Sequence, residues 1–463
     1  MKKKFLIPII TFSIVLFQYS AATDFPQEKS EYWKAGVAKV LIIPVQSMWM
    51  AGYGDRKHES EGILVDLWAK ALALEDANGN KAVLVTTDLL GFPKNMSDNI
   101  RNRLKTEYGL SKAQVILSGS HTHSGPVLRK SLYNFYPLDA EQLDKIERYS
   151  SWLEDHIVAL VGNALKSMKP VEIYAQNGVT RFQVNRRNNN EAKLHLQTEL
   201  KGPNDYAVPV LKVVSVSGDL IAIAFGYACH NTVLNIYEWS GDYAGFAQIE
   251  LEKTYPGATA LFFEGAGADQ NPLPRRTIPL AQQYGEELAA SVKRVLKEDM
   301  RKLPPTLATE YSEIDLPFAN PPTIEELKRI AEEPSESQKK WAANLLESIA
   351  GDKSLLKSYP WYPCQVWKVG NQPIMILGGE LVVEYAIKLK QIFGLDTFVI
   401  GYSNDLMAYI PSVTIIKEGG YEGESSQWGY GLPGVWSESI ESLILQELIK
   451  LAEEAGIPQS IVK

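Results

Sequence analysis

The chain has 463 residues and a net charge of −8; 45% of its residues are apolar and 10% are aromatic. This composition is typical of a chain with a large folded core and excludes a disordered chain. The negative charge argues against nucleic acid or an anionic membrane as the main partner. The only cysteines, Cys229 and Cys364, exclude a disulfide framework and leave a single bridge between them open.

The first 22 residues have the pattern of a secretory signal peptide. Three lysines at positions 2–4 precede an apolar run from Phe5 to about Phe17, and small residues follow at 20–22. The run is shorter than the roughly 20 apolar residues of a membrane span, so no stable membrane anchor is expected. We therefore predict a periplasmic or secreted protein. Its mature part, residues 23–463, would have a net charge of −11, because removing three lysines takes −8 to −11.

The predicted elements alternate between strands and helices along the chain. Strands are predicted at 35–44, 81–87, 114–117, 171–179, 207–216, 220–228, 258–263, 365–369, 373–377 and 397–402. Helices are predicted at 97–108, 141–168 (as one helix or two), 243–255, 280–298, 381–394 and 438–455. The Ser217-Gly218-Asp219 turn indicates a hairpin, so the sheets should be mixed. The pattern predicts an α/β fold with mixed central β-sheets flanked by helices.

Residues of about 323–350 are rich in Glu, Lys and Ala and lack strand character. They predict a helical insertion within one large catalytic domain, as a lid or a solvated decoration. The polar composition of this segment favours a polar substrate over a lipid.

The segment GSHTHSGP at 119–126 carries two histidines, His121 and His123, directly after the apolar run 115–117. Side chains at i and i+2 of a strand share a face, which would place both imidazoles at the strand end. Imidazole is the commonest metal ligand and a good proton carrier near neutral pH. The alternative, two histidines adjacent by chance, stays open for this motif alone.

Four further loops follow apolar runs and carry polar groups where a strand would end. They contain His230, Glu380 after two glycines, the stretch from Tyr402 to Tyr409, and the stretch 264–272. Rigid sheets commonly present active-site groups on such loops. Two imidazoles, a carboxylate and a phenol form a ligand set that suits zinc.

These motifs together resemble the neutral ceramidases in their amino-terminal catalytic domain. The resemblance includes AGVAK at 35–39, MAGYG at 50–54, HTHSGP at 121–126, the Cys-His pair at 229–230, GGE at 378–380 and YEG at 421–423. It covers nearly the whole predicted mature chain. It implies a ceramidase-like fold and a zinc-dependent amidohydrolase that acts on a small-molecule, lipid or glycan-derived substrate.

The resemblance also implies site residues. His121, His230, Glu380 and Tyr409 match the positions that bind zinc, with Tyr402 as an alternative for the last. His123 would be the general acid/base. Arg186 would lie near the reacting carbonyl, with Arg181 and Arg187 as alternatives, and Tyr421 would hydrogen-bond the substrate.

Two departures from the family pattern bear on the substrate. The position of the ceramidase serine is occupied by Asn271, whose amide can bind substrate but cannot attack a carbonyl. The chain also stops about where the catalytic domain ends, without the carboxy-terminal immunoglobulin-like domain. We therefore predict direct hydrolysis of an amide (N-acyl) bond by zinc-activated water. The alternatives are a zinc hydrolase of an ester, lactone or glycan-derived substrate, and a non-catalytic binding protein on the same fold.

The remaining polar candidates are assigned supporting roles. Asp88, Asp242 and Asp269 are predicted to orient the ligand histidines, and Asp242 has helix capping as an equal alternative. His58 and His195 are not expected to bind the metal.

Overall fold

A computed structural model of the chain describes residues 1, 2, 4, 31–333 and 336–460. The predicted signal peptide therefore lies mostly outside the described residues. Within them, no helix is both long enough and apolar enough to cross a membrane.

The described residues form a mixed α/β fold, as the sequence predicts. The strands are β1 (Trp33–Leu41), β2 (Gly62–Ile63), β3 (Trp68–Glu75), β4 (Lys81–Thr87), β5 (Val115–Gly119), β6 (Lys169–Val179), β7 (Gln183–Asn185), β8 (Ala207–Ser215), β9 (Leu220–Tyr227), β10 (Glu238–Trp239), β11 (Thr259–Glu264), β12 (Gln270–Pro272), β13 (Arg301–Lys302), β14 (Leu307–Pro317), β15 (Ser358–Val369), β16 (Gln372–Leu377), β17 (Glu380–Leu381), β18 (Phe398–Ile400) and β19 (Tyr409–Ile410). The helices are α1 (Lys94–Tyr108), α2 (Ala140–Lys166), α3 (Asp242–Thr254), α4 (Ile278–Val295), α5 (Ile324–Ile330), α6 (Glu336–Ser348), α7 (Val383–Phe393), α8 (Val413–Glu418) and α9 (Ile440–Glu454).

A large sheet has the strand order β11-β9-β8-β6-β1-β3-β4-β5, with the short β13 pairing with β6. The two outermost pairs, β11–β9 and β4–β5, are parallel, and the pairs between them are antiparallel. A second sheet has the order β14-β15-β16-β18. Both sheets are mixed, which confirms the predicted fold class.

Four layers result from the packing of these elements. Helices α1 and α2 cover one half of the outer face of the large sheet, and α3 and α4 cover the other half. The inner face packs on the second sheet, whose far side is covered by α7 and α9. Strand β3 illustrates how alternation serves two layers: Ala71 packs towards the helices, whereas Leu72 packs towards the second sheet.

The large sheet is curled, so that its edge strand β11 lies close to β4 and β5 at the opposite edge. Residues 401–405, here the 401–405 loop, connect the two edges. The amide of Gly401 donates to the carbonyl of Glu264 after β11 (3.0 Å), and the amide of Asn404 donates to the carbonyl of Leu117 in β5 (2.8 Å). The curl brings together loops that follow opposite edges of the sheet.

Several sequence-based expectations differ from the structure in detail. Residues 140–166 form one helix rather than two, capped by the Asp139 carboxylate, which accepts a hydrogen bond from the amide of Gln142. Strand β3 was not predicted because its sequence, WAKALALE, is rich in helix formers, and burial on both faces overrides that preference. Both cysteines are free and buried.

The predicted insertion corresponds to α5 and α6, which have a small apolar core of their own. It is docked on the main body by two side chains of α6. The Lys340 ammonium donates to the carbonyl of Tyr133 (2.7 Å), and the Trp341 indole donates to the carbonyl of Leu432 (3.0 Å).

Candidate metal centre

The two histidines of the HTH segment lie in a loop rather than on a strand. Strand β5 ends at Gly119, and His121 has a left-handed backbone conformation (φ 60°). The prediction that strand alternation brings the two imidazoles together is therefore wrong. The loop turns both imidazoles inward, and their Nε2 atoms are 3.2 Å apart. Both side chains are buried.

His230 follows β9 and meets His121 edge to face, with ring centroids 4.7 Å apart. Backbone carbonyls fix the orientation of both rings. The Nδ1 atom of His121 is 2.9 Å from the carbonyl of Leu90, and that of His230 is 2.8 Å from the carbonyl of Gly267. Because each Nδ1 then carries the proton, each Nε2 presents a lone pair to the centre.

Glu380 and Tyr409 come from two short strands, β17 and β19, which pair in parallel with these two residues in register. The Glu380 Oε2 atom is 3.3 Å from Nε2 of His121 and 3.2 Å from Nε2 of His230. The Tyr409 hydroxyl is 3.4 Å from Nε2 of His230. The structure thus brings together all four side chains that the sequence assigns to the metal.

The separations between neighbouring donor atoms fit the coordination shell of a zinc ion. Bond lengths of about 2.0–2.1 Å imply donor atoms about 3.3–3.4 Å apart, which is close to the separations of 3.2–3.4 Å described above. The Glu380 Oε2 atom is buried and receives no hydrogen bond from the described residues. A buried carboxylate oxygen between two imidazole lone pairs is the arrangement that a cation stabilises.

The electrostatics of the cluster favour the protonation state of metal ligands. Burial and the nearby charge of Arg186 lower the pKa of His230 to about 4. Burial alone would raise the pKa of Glu380, but the adjacent imidazoles of His121 and His230 hold it well below its usual range. Neutral His230 and ionised Glu380 are the forms that bind a metal.

His123 completes a group of three histidines whose ligand atoms lie within 4.8 Å of one another. Its ring packs against Tyr53 (centroids 4.6 Å apart), and the Arg56 guanidinium donates to its backbone carbonyl (2.8 Å). Its Nδ1 has no hydrogen-bond partner among the described residues. Burial, with the neighbouring His121 and His230, lowers the pKa of His123 well below its usual range. The ring is therefore neutral and able to accept a proton.

Arg186 links the centre to its surroundings. Its guanidinium donates to the Tyr409 hydroxyl (3.2 Å) and lies 3.4 Å from Oδ1 of Asn271, while Nε pairs with Glu422 (2.7 Å). Tyr421 packs its ring 5.3 Å from that of Tyr409 and is 49% exposed. Arg186, Asn271 and Tyr421, predicted to bind substrate, thus lie side by side at the margin of the centre.

The residues that the sequence offers as alternatives to Arg186 and Tyr409 make other contacts. Arg187 pairs with Glu418 and Glu422, and Arg181 lies over the ring of Tyr206. The ring of Tyr402 packs against His121 (centroids 4.4 Å apart), and its buried hydroxyl has no partner among the described residues.

An open cleft of about 750 Å³ begins at this margin, with Arg186, Asn271 and Tyr421 in its wall. The remainder of the wall comes from the loop 187–191 with Gln197, and from Arg275 and Glu422. Two residues of its wall, Arg186 and Tyr421, contact Tyr409 of the centre.

Sequence reasoning missed Tyr430 and gave Arg56 no specific contact at the site. The Tyr430 hydroxyl hydrogen-bonds Glu380, and Arg56 holds the backbone of His123. Arg56 follows the MAGYG segment closely, but an arginine in a polar loop carries no distinctive signal. Tyr430 lies in a Gly- and Trp-rich loop whose path the sequence does not indicate.

The aspartates predicted to orient the histidines do not contact them. Asp88 accepts from the amide of Trp68, and Asp269 accepts from the amide of Val383. Asp242 accepts from the amides of Val233, Leu234 and Tyr243, but α3 is capped at Gly241 without a side-chain hydrogen bond, so neither predicted role of Asp242 is found. Backbone carbonyls take the orienting role instead. His58 stacks on Tyr237, and His195 is exposed in the 191–196 turn, both outside the cluster.

Comparisons with known proteins give a consistent result. The family profile described as neutral/alkaline non-lysosomal ceramidase, N-terminal, matches residues 34–271. The chain is 23% identical over 530 aligned residues to neutral ceramidase from Pseudomonas aeruginosa, covering 97% of this chain and 76% of that protein. It is 28% identical over 220 residues to neutral ceramidase B of Dictyostelium discoideum, covering 45% of this chain but only 30% of that protein.

The fold is also similar to a solved structure. The crystal structure of neutral ceramidase from Pseudomonas aeruginosa superposes with a TM-score of 0.71 at 20% sequence identity, over 93% of this chain and 75% of that one. At this level of identity the superposition shows the shared fold alone.

Proposed function

Since the chain belongs to the neutral/alkaline non-lysosomal ceramidase family, we propose that it is an exported, zinc-dependent hydrolase that cleaves an amide (N-acyl) bond. One observation carries the proposal. The Nε2 atoms of His121 and His230 and the carboxylate of Glu380 converge at tetrahedral spacing, beside the neutral imidazole of His123.

Four side chains would hold the metal: His121, His230, Glu380 and Tyr409. A zinc ion held there would supply a Lewis acid that polarises the scissile carbonyl and lowers the pKa of water to about 7. The fixed Nδ1 contacts of the two histidines keep their donor atoms aimed at the centre, which reduces the reorganisation needed on metal binding.

His123 is the proposed general acid/base. Its Nε2 faces the centre, 3.2 Å from Nε2 of His121, and its low pKa keeps the imidazole neutral. It would accept a proton from the attacking water and return it to the departing amine, a role worth about 10²–10⁴ in rate. Tyr53 and Arg56 restrict the ring and backbone of His123, and so keep it in reach of both atoms.

Arg186 and Asn271 are the proposed oxyanion donors. Glu422 holds the Arg186 guanidinium from the side away from Tyr409, so its inner edge stays directed at the centre. The Asn271 amide nitrogen has no partner among the described residues and can donate to a substrate carbonyl. A well-placed donor of this kind contributes about 3–4 kcal/mol. Because Asn271 cannot act as a nucleophile, hydrolysis would be direct, without a covalent intermediate.

The test combines metal analysis with a hydrolysis panel. Purified protein should contain about one zinc per chain, cleave N-acyl substrates, lose activity on chelation and regain it with zinc. Cleavage of carboxylic esters alone would replace the amide with the ester assignment. A protein without metal, and without activity after zinc addition, would be a binding protein instead.

Export is tested separately by N-terminal sequencing of protein recovered from its native host. We expect a mature chain beginning near Thr23. A chain that still begins at residue 1 inside the cell would contradict export and leave the chemistry unaffected.

A further inference from the structure

The cleft beside the metal centre indicates the chemical class of the substrate. We propose that it binds a neutral carbohydrate unit, so that the amide cleaved at the metal is carried by an N-acylated sugar. This assignment rests on the proposed hydrolase function and adds the identity of the group that the cleft recognises.

The first observation is the composition of the wall. Its eleven residues are four asparagines, one glutamine, three arginines, two glutamates and one tyrosine, and none is aliphatic. The volume of about 750 Å³ is typical of a small-molecule site, but such sites are usually lined mainly by apolar side chains. An acyl or sphingoid chain in this cleft would cover polar groups without giving them hydrogen bonds, which is unfavourable.

The second observation is the set of unused amide groups. The side-chain amides of Asn188 and Gln197 make no hydrogen bond to the described residues, and Oε1 of Gln197 is buried. The Asn271 Nδ2 atom is also unused. An amide presents a donor and an acceptor side by side, and it can therefore pair with neighbouring hydroxyls of a sugar ring.

The third observation is the charge balance of the wall. Each of its arginines already has a carboxylate partner at 2.7 Å: Arg186 and Arg187 share Glu422, and Arg275 pairs with Glu191. Arg187 also pairs with Glu418 (2.9 Å), so three carboxylates balance the three arginines. The cationic groups are thus neutralised within the protein. This arrangement favours a neutral ligand over a phosphate or carboxylate group, because an anion would compete with existing ion pairs.

The fourth observation is Tyr421, the single ring in the wall. It is 49% exposed and lines the cleft. An amphipathic ring of this kind can pack against the C–H face of a pyranose while its hydroxyl contacts polar groups. Its contact with Tyr409 places that packing next to the metal centre.

The experiment measures binding apart from turnover. The zinc-loaded His123→Ala protein, in which the ligand is not consumed, is titrated by calorimetry with N,N′-diacetylchitobiose, N-acetyllactosamine and N-hexanoylsphingosine. We expect at least one disaccharide to bind with a dissociation constant of about 1 mM or lower, and the sphingolipid not to bind in the cleft.

Variants of the wall locate the binding. Asn188→Leu and Gln197→Leu, each added to His123→Ala, should weaken disaccharide binding about tenfold at unchanged zinc content. Gln283→Leu is the matched control, because Gln283 is an exposed amide on α4 and is not part of the cleft wall. Its binding should equal that of the parent.

The outcomes separate the two proposals. Sphingolipid binding without disaccharide binding, or disaccharide binding unaffected by both leucine variants, would overturn the carbohydrate assignment while leaving the zinc hydrolase in place. Disaccharide binding that depends on the wall, in a wild-type protein without hydrolytic activity, would support the cleft and overturn the hydrolase alone.

Discussion

The metal centre and the cleft beside it are built from different parts of the molecule. The centre is buried, its histidines follow strands of the large sheet, and their orientation is fixed by backbone carbonyls. The cleft is open, and much of its wall comes from the loop 186–191 and the turn residue Tyr421. A rigid scaffold thus carries the reactive groups, whereas loops that can change without altering that scaffold contact the substrate.

The largest effect is expected for removal of a ligand from the centre. His121→Ala should reduce the zinc content from about one to near zero per chain and abolish turnover, because it removes one of the two imidazole ligands of the buried site. Elemental analysis and a hydrolysis assay on the same sample measure both. His156→Ala is the control, since His156 stacks on Trp152 in α2 far from the cluster. A His121→Ala protein with full zinc would contradict the ligand assignment.

The second-largest effect is expected for His123, and it distinguishes this proposed acid/base from the proposed ligands His121 and His230. His123→Ala should keep its zinc and lose about 10²–10⁴ in kcat, because it removes proton transfer and no ligand. Zinc content and kcat are measured together. Loss of zinc would identify His123 as a ligand. This is the main alternative, because Nε2 of His123 lies 3.2 Å from Nε2 of His121. Unchanged kcat would remove the acid/base role.

Substitution of two neighbouring arginines compares the boundary of the centre with the cleft. Arg186→Met should lower kcat by about 10²–10³, because Arg186 faces Tyr409 and Asn271. Arg187→Met should change kcat only a few fold, since Arg187 pairs with Glu418 and Glu422 and makes no contact with the centre. Equal losses in kcat would mean that both act through Glu422.

The smallest effect concerns stability beneath the centre. Burial raises the pKa of Asp405, in the 401–405 loop, to about 7, and its carboxyl hydrogen-bonds Tyr359. The folded protein therefore binds a proton that the unfolded chain releases near pH 3.8. The stability that this proton provides is complete below that pH and is lost as the pH rises through about 7.

Between pH 6 and pH 8 this loss amounts to about 1.4 kcal/mol, because the folded protein binds on average about half a proton more than the unfolded chain over these two pH units. Asp405→Asn should lack this decrease when the free energy of unfolding is measured in urea at both pH values. Asp352→Asn is the control, because hydrogen bonds from the hydroxyl and amide of Ser354 lower the pKa of Asp352 and keep it ionised throughout that range. An unchanged decrease in Asp405→Asn would contradict the assignment.

The sequence predicted more of the centre than of its support. His230 and Glu380 could be found because each follows an apolar run, and the family pattern adds Tyr409 and Arg186. The α/β class also follows from alternating elements. The roles of these four residues in catalysis stay predictions until the variants above are measured.

Long-range geometry accounts for what the sequence did not predict. Strands β5 and β9 lie near opposite edges of the sheet and run in opposite directions. No local sequence pattern therefore indicates that His121 and His230 meet. The curl of the sheet decides that. The contact between Tyr430 and Glu380 spans 50 residues, and carbonyls rather than Asp88 or Asp269 orient the histidines. Such contacts depend on the tertiary path of loops and leave no pattern in composition or spacing.

The 401–405 loop has a consequence for how the protein is made. It joins edges whose partners, such as Leu117 and Asn404, are 287 positions apart in the chain. During synthesis, both imidazole-bearing loops emerge long before the segment that connects them. Contacts of such high sequence separation form slowly. We therefore expect a ribosome-bound chain ending before residue 400, which lacks both Tyr409 and this loop, to retain no zinc, and the capacity to retain zinc to be acquired only in the last stage of folding.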